Sequence, residues 1–364
     1  MSTTPIALPN VSTILGSSTS SDLSNLFQTL PSGRMATPIG DSFWGINQLS
    51  QPPAITINRD MHGLVFFTRP RLNLTNDNMS NVRIFTPLMS TNQDSIQCAL
   101  RSYLDPTLAL SSSNAIASSV VDPHQAFIPI LSNHILSANG WPDLDAGTFV
   151  AHEGVYKETW SFIDSIVRNY STYDITANFR NIPGDPITML IFYWLHYAEN
   201  VYLGDMSPYT DALLQNEIDY TTRIYRLVLD ATKTKVQKIG ATGAAFPISC
   251  PVGASFNFES SHPVNASNDQ IPITFRCIGA MYHDDMLVHE FNLTVQAFNA
   301  GMKDANRTNL YTQIPMAYLS LFRNRGYPRI NPDNYNLEWW VSTSAYNTVV
   351  ASLNSSTIAS SENY

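Results

Sequence analysis

The sequence predicts an α+β protein, with helices grouped in the first half and an antiparallel, β-rich second half closed by a helix. Three observations predict it. The stretch DPITMLIFYWLHYAENVYLG (185–204) carries helix punctuation at both ends. Residues 217–281 alternate with period two. From Asp284 the apolar spacing returns to fours and threes.

Taken in order, residues 1–55 are rich in Ser, Thr, Pro and Asn and read as an extended N-terminal arm, with one short apolar cluster at Leu23–Leu30. A mainly helical and loop region follows over 56–210. HGLVFFTRPRLNL predicts a strand over Leu64–Thr68, broken by Pro70. DSIQCALRSYLD predicts a helix over 94–105: Asp94 can cap, Ile96, Leu100 and Leu104 recur every four positions, and Pro106 stops it. Residues 106–149 are broken by Pro and Gly and read as loop. VYKETWSFIDSIVRNY predicts a helix over 155–170, with Trp160, Ile163, Ile166, Val167 and Tyr170 on one face. YDITANFRN then alternates like a strand. In the next helix Asp185 is the expected cap, Pro186 fits the first turn and Gly204 lies past the end.

A β-rich domain is expected over 211–345. Ile224, Arg226 and Val228 face one way and Tyr225, Leu227 and Leu229 the other; ATKTK turns and VQKIGATGAAF returns. PVGASFNFE and QIPITFRCIGAMY read as two further strands, before a helix over 284–302. The tail at 346–364 shares the Ser-rich character of the arm.

Of the 364 residues, 44% are hydrophobic and 13% charged, about half the roughly 25% usual for soluble domains. Fifteen Arg stand against five Lys, a skew that suits the buried centres of interfaces. The net charge of −9 and the absence of a basic run argue against specific nucleic-acid binding. Three scattered cysteines without CxxC spacing point to synthesis in a reducing compartment, and the first residues lack the pattern of a secretory signal. The longest apolar run, 187–202, is too short and too polar to cross a membrane.

MYHDDMLVHEFN (281–292) gathers two His, two Asp and a Glu, and invites a metal or acid–base reading. A zincin helix needs His at i and i+4, but the position four after His289 is Leu293. A helix start explains more: Asp284 or Asp285 caps, and Leu287, Phe291, Val295, Phe298 and Met302 form an apolar stripe with His289 on the other face. No phosphate loop, nucleophile elbow, dinucleotide fingerprint or Ca²⁺ loop occurs, so no catalytic, cofactor or metal residues are assigned and no cofactor is expected. Glu217, Asp219, Arg223 and Arg226 lie on or beside a strand, where charges protect a sheet edge or pair across a subunit boundary. With Arg69 they are the candidate interface residues.

Several segments resemble virion structural proteins of large contractile-tailed bacteriophages: VFFTRPRLNLTN (65–76), FRNIPGDPITMLIFYWLHYAENVY (179–202), NEIDYTTRIYRLVLD (216–230), TFRCIGAMYHDDMLVHEFN (274–292) and GYPRINPDNYNLEWWV (326–341). The resemblance runs over most of residues 60–341. It implies a non-enzymatic subunit of the virion, made in the host cytoplasm and placed in the tail as tube, tube end or baseplate. It would form homo-oligomeric rings or a tube through strand and arm contacts, beside other phage structural proteins, with DNA passing a channel it does not grip. A capsid or neck protein is the alternative. Two other readings stay open: a particle-borne cell-wall hydrolase using Asp284, Asp285 or Glu290, and a receptor-binding module stacking sugars on LEWWV (337–341).

Overall fold

A computed structural model describes residues 60–110, 117–164, 171–258, 260–261, 263, 268–322 and 325–351. The expected N-terminal arm at 1–55 lies outside these residues, and of the expected tail at 346–364 only residues 346–351 are described, as helix. The fold is α+β and is organised by one six-stranded antiparallel sheet in the order β1-β6-β7-β8-β5-β2. Its strands are β1 (Met61–Phe67), β2 (Ile135–Asn139), β5 (Thr172–Arg180), β6 (Ile224–Leu229), β7 (Val236–Pro247) and β8 (Gln270–Tyr282). The alternation in the second half thus supplies three strands, and three earlier segments flank them.

The sheet curls on itself. Six flat strands would hold the two edges roughly 24 Å apart at ~4.8 Å per step. Here the Ile128 N–H donates to Phe67 O at the end of β1. The short helix α4 (Pro129–His134) then delivers the chain directly into β2, the other edge. A helix of that length spans only about 9 Å. The core agrees: the ring of Phe67 on β1 lies 5.5 Å from Phe275 on β8 and 5.8 Å from Phe179 on β5. In a flat sheet β1 and β5 would stand roughly 19 Å apart.

Inside this curl, Val65, Ile175, Phe179, Ile273 and Phe275 form one core with α2 (Ile96–Leu104) and α5 (Pro186–Leu203), where Trp194 and Tyr197 are fully buried. Helix α5 starts at Pro186 as expected. Asp185 adopts a left-handed backbone (φ 47°) and makes no side-chain cap, and Gly204 closes the helix at φ 84°. Ser95, rather than Asp94, caps α2 by accepting from Cys98 N at 3.2 Å. The helix ends at Leu104, just before Pro106 as expected, and after a break at Asp105 Pro106 opens a further short helix, α3 (Pro106–Leu110). The bent-back stretch from Asn76 begins with α1 (Asn76–Met79).

The outer face of β1, β6 and β7 holds a second core with α7 (Asp285–Phe298), whose Leu287, Phe291 and Val295 are buried, and with the small sheet of β9 (Tyr311–Gln313), β10 (Tyr327–Ile330) and β11 (Leu337–Ser342). The Asn292 amide fastens α7 to β10, donating to Ile330 O at 2.7 Å and accepting from Ile330 N at 2.9 Å. Asp284 caps α7 by accepting from Met286 N. The helix ends at Phe298 instead of reaching 302. Asn299 turns the chain by accepting from Gly301 N, and Met302 completes the apolar stripe from a 3₁₀ turn.

Three expectations are corrected. The loop at 106–149 contains α4 and β2, because ILSAN (135–139) finds its partner in β5 rather than in any local pattern. The strand expected at 251–259 is a 3₁₀ helix over Val252–Phe256 with no strand partner. The helix expected at 155–170 is instead half of a hairpin, β3 (Thr148–Val150) with β4 (Ser161–Ile163); residues 165–170 lie outside the described residues. Trp160 and Ile163 are exposed rather than packed on a core, and pairing with 148–150 satisfies the backbone.

Candidate interface

The five candidate charges divide by burial. Arg69 is only 4% exposed. Its guanidinium donates to Tyr103 O at 3.2 Å, Pro123 O at 3.2 Å, Gln125 O at 3.1 Å and Ser102 O, and lies over the Phe298 ring. Burial lowers its pKa to about 10, so it stays charged at neutral pH. Asp219 is also buried and accepts from the Tyr197 hydroxyl, while its backbone carbonyl receives Arg71 N. Both side chains act within the subunit. Arg223 pairs with Glu290 on α7 at 2.6 Å and donates to Thr242 O at 2.9 Å, tying the sheet to the helix that covers it. Arg226 is half-buried beside Gly63 and donates to its neighbour's carbonyl, Leu227 O. Glu217 is exposed. Of the five, only Arg223 meets an opposite charge among the described ion pairs, and Arg226 and Glu217 are the two others that are not buried.

Burial raises the Asp219 carboxyl above its ordinary range, and more than offsets the Tyr197 hydrogen bond. A carboxyl with a raised folded-state pKa holds its proton more tightly folded than unfolded. Its ionisation therefore costs stability as pH rises through that folded value, and the cost disappears as pH falls to the unfolded value near ~3.9. Asp219→Asn keeps an acceptor for Tyr197 and removes the buried charge. Its melting temperature is expected to equal or exceed wild type at pH 7, with the difference shrinking towards pH 4 in thermal melts.

The surface that sequence reasoning missed lies between β2 and β5. Gly140 leaves β2 at φ 109°, where a Cβ would sit 2.2 Å from Asp174 O, and Tyr282 anchors the departing chain by donating to Pro142 O at 2.7 Å. The β3–β4 hairpin then projects with both faces uncovered: every residue of its strands is exposed. Phe149 and Phe162 pair across it, ring centroids 5.2 Å apart, with Trp160 73% exposed two residues on. At the tip Lys157 turns at φ 60°, and Val155 and Tyr156 are 95% and 91% exposed. The signal that could have revealed it is Gly154 between two aromatic triplets, TFV and SFI.

A second apolar surface is the corner after α5. Tyr202, Leu203, Leu213, Leu214 and Ile218 are exposed there, around α6 (Thr210–Gln215). A third, polar surface is the outer face of β2, β5 and β8, which no helix among the described residues covers. Thr172, Asp174, Thr176 and Arg180 on β5 are exposed, and Arg276 on β8 donates to both Asp174 carboxylate oxygens, the longer bond being 3.1 Å. Among the described residues no group of three His, Cys, Asp or Glu side chains could hold a metal ion, and no helix is long and apolar enough to cross a membrane.

No curated protein matches the chain. Among solved structures it is similar to the tube-terminating cap of the anti-feeding prophage, at 15% identity over 43% of this chain and 82% of that one, with a TM-score of 0.26. It is also similar to a chain of the sheath–tube complex of an extracellular contractile injection system, PVC, in the extended state, at 14% identity over 49% of this chain and 95% of that one, with a TM-score of 0.26. A family model described as "Putative phage tail tube protein" matches residues 2–356. The match spans both cores, the hairpin and the corner, and the chain belongs to this family of structural proteins of the phage tail.

Proposed function

We propose that the chain is the repeating subunit of a tail tube, which associates with its own copies and with other tail proteins of the virion, and that it acts by assembly rather than by catalysis. The observation that carries this reading is the β3–β4 hairpin. A two-stranded hairpin is at best marginally stable in water, and this one holds Phe, Trp, Tyr and Val side chains in solvent on both faces. A neighbouring subunit would cover them. The open face of β2, β5 and β8 suits the wall of a channel: it is rich in Thr, Asp174 neutralises Arg276, and a single further cation, Arg180, is too little to grip phosphates tightly. Glu217 and Arg226 are available for contacts between copies.

Electron microscopy of the concentrated, purified protein, with mass determination on the same sample, tests the reading. Rings or tubes of a defined mass are expected. A monomer that stays monomeric at high concentration and in the presence of the other tail proteins overturns it.

A further inference from the structure

The two exposed apolar surfaces sit at opposite ends of the sheet. The pairings place β5's first residue, Thr172, beside Ile278 near the end of β8, and Tyr282 beside Gly240 near the start of β7. The hairpin, inserted between the end of β2 and the start of β5 and anchored on Tyr282, therefore leaves from this end. At the other end the chain exits β1 and enters β6. There Asn73, just after β1, donates its N–H to the Tyr197 hydroxyl at 3.1 Å, and its side chain donates to Ser207 O at 2.9 Å; Asp219, just before β6, accepts from Tyr197. These bonds hold the last turns of α5 and the 202–218 corner at that second end. The turn after β7 adds Phe256 and Phe258 to it, 81% and 89% exposed.

We infer that the hairpin of one copy docks on the corner of the next, Phe149, Trp160 and Phe162 packing against Tyr202, Leu213 and Leu214, so that copies join head to tail. The inference rests on the self-association proposed above and names its contact surfaces. Two features commit the occupant to a second copy. Each surface is built from large side chains worth roughly 150–250 Å² apiece, and at their degrees of exposure each offers on the order of 900 Å². That is close to the roughly 800 Å² that one partner contributes to a stable interface, so the two are matched in size. Because they lie at opposite ends of one chain, each copy that docks presents a fresh hairpin or a fresh corner, and the contact does not close after two copies. Charge does not drive it: the hairpin carries Asp143, Asp145, Glu153, Glu158 and Asp164 against Lys157, and the corner carries Glu199, Asp205 and Glu217. Apolar burial must outweigh this repulsion, so added salt should strengthen the contact by screening.

The test uses the full chain with Trp160→Asp in the hairpin, Leu214→Asp in the corner, and Val155→Asp as a second hairpin variant in case the first does not fold. Circular dichroism and melting temperature identify the folded variants. Assembly is read by mass measurement and microscopy, at low and at high salt. Each variant alone is expected to lose head-to-tail assembly at least tenfold. An equimolar mixture of a hairpin variant with Leu214→Asp is expected to regain a complex with a single junction, since one copy keeps its corner and the other its hairpin. Wild-type-like assembly of the variants overturns the inference and leaves the tube subunit standing. So does a mixture that forms no complex, or self-pairing by Leu214→Asp alone, which would mean that hairpin meets hairpin. Absence of assembly by the wild-type chain, at high concentration and with the other tail proteins present, overturns both readings.

Discussion

Arg69→Ala is expected to destabilise the protein by about 3–5 kcal/mol, the scale for leaving two or more buried carbonyls without their donor. The guanidinium gathers the carbonyls of Ser102, Tyr103, Pro123 and Gln125, and with the Arg69 N–H bonded to Ala126 O it joins the end of β1 to α2 and to the segment that closes the curled sheet. Truncation leaves those carbonyls buried with one donor group fewer, and each unsatisfied group costs about 1–3 kcal/mol. Arg69→Lys is expected to recover only part of the loss, because an ammonium is a compact point charge and cannot reproduce the planar fork. Urea unfolding followed by circular dichroism measures both. A loss below about 1 kcal/mol for the Ala variant would mean that water replaces the guanidinium freely.

Phe291→Ala comes next. The ring is fully buried on α7 and meets Phe127 at 5.1 Å, Phe66 at 5.3 Å and Tyr225 at 5.3 Å. It joins the helix to two strands and to the segment before α4, so the cavity cannot collapse without moving all of them. A cost of about 3–5 kcal/mol is expected for Phe→Ala at such a site, and under about 1.5 kcal/mol for Phe291→Leu if the core repacks. The same denaturation experiment separates the two. Equal losses for both variants would show that ring geometry, rather than filled volume, holds the second core.

The parts of this fold that were legible in the sequence are those whose partners lie close along the chain. Strands β6, β7 and β8 follow one another, and β6 and most of β8 alternate cleanly, while β7 departs from alternation at its bulge. Helices α5 and α7 carry their own punctuation in Pro186, Gly204 and Asp284. Segments whose identity depends on distant partners were not legible. β2 is five ordinary residues until β5 pairs with it. The β4 strand lies in a stretch where Trp160, Ile163, Ile166 and Val167 satisfy helical spacing, and only its pairing with Phe149 decides otherwise. The candidate charges show the same limit. Arg69 and Asp219 read like surface charges, because nothing local records that three separate segments close over them. The exposed apolar surfaces were hidden for the converse reason: Trp160 and Leu214 have the residue types of a core, and only the fold shows them exposed.

The strand order also dictates a timetable. Thr68 meets Thr222 across 154 residues, and Asp174 meets Arg276 across 102. On the ribosome β1, β2 and β5 emerge long before β8, so an incomplete chain holds sticky strands without their ladder partners until about Tyr282 has been made. Long-range pairing of this kind is slow and exposes edges to aggregation. Folding should therefore start on the β6–β7–β8 meander and gather the three older strands afterwards. If the chain assembles as proposed, a subunit made this way becomes competent to join its neighbours only after translation is nearly finished, which would keep unfinished chains out of the growing polymer.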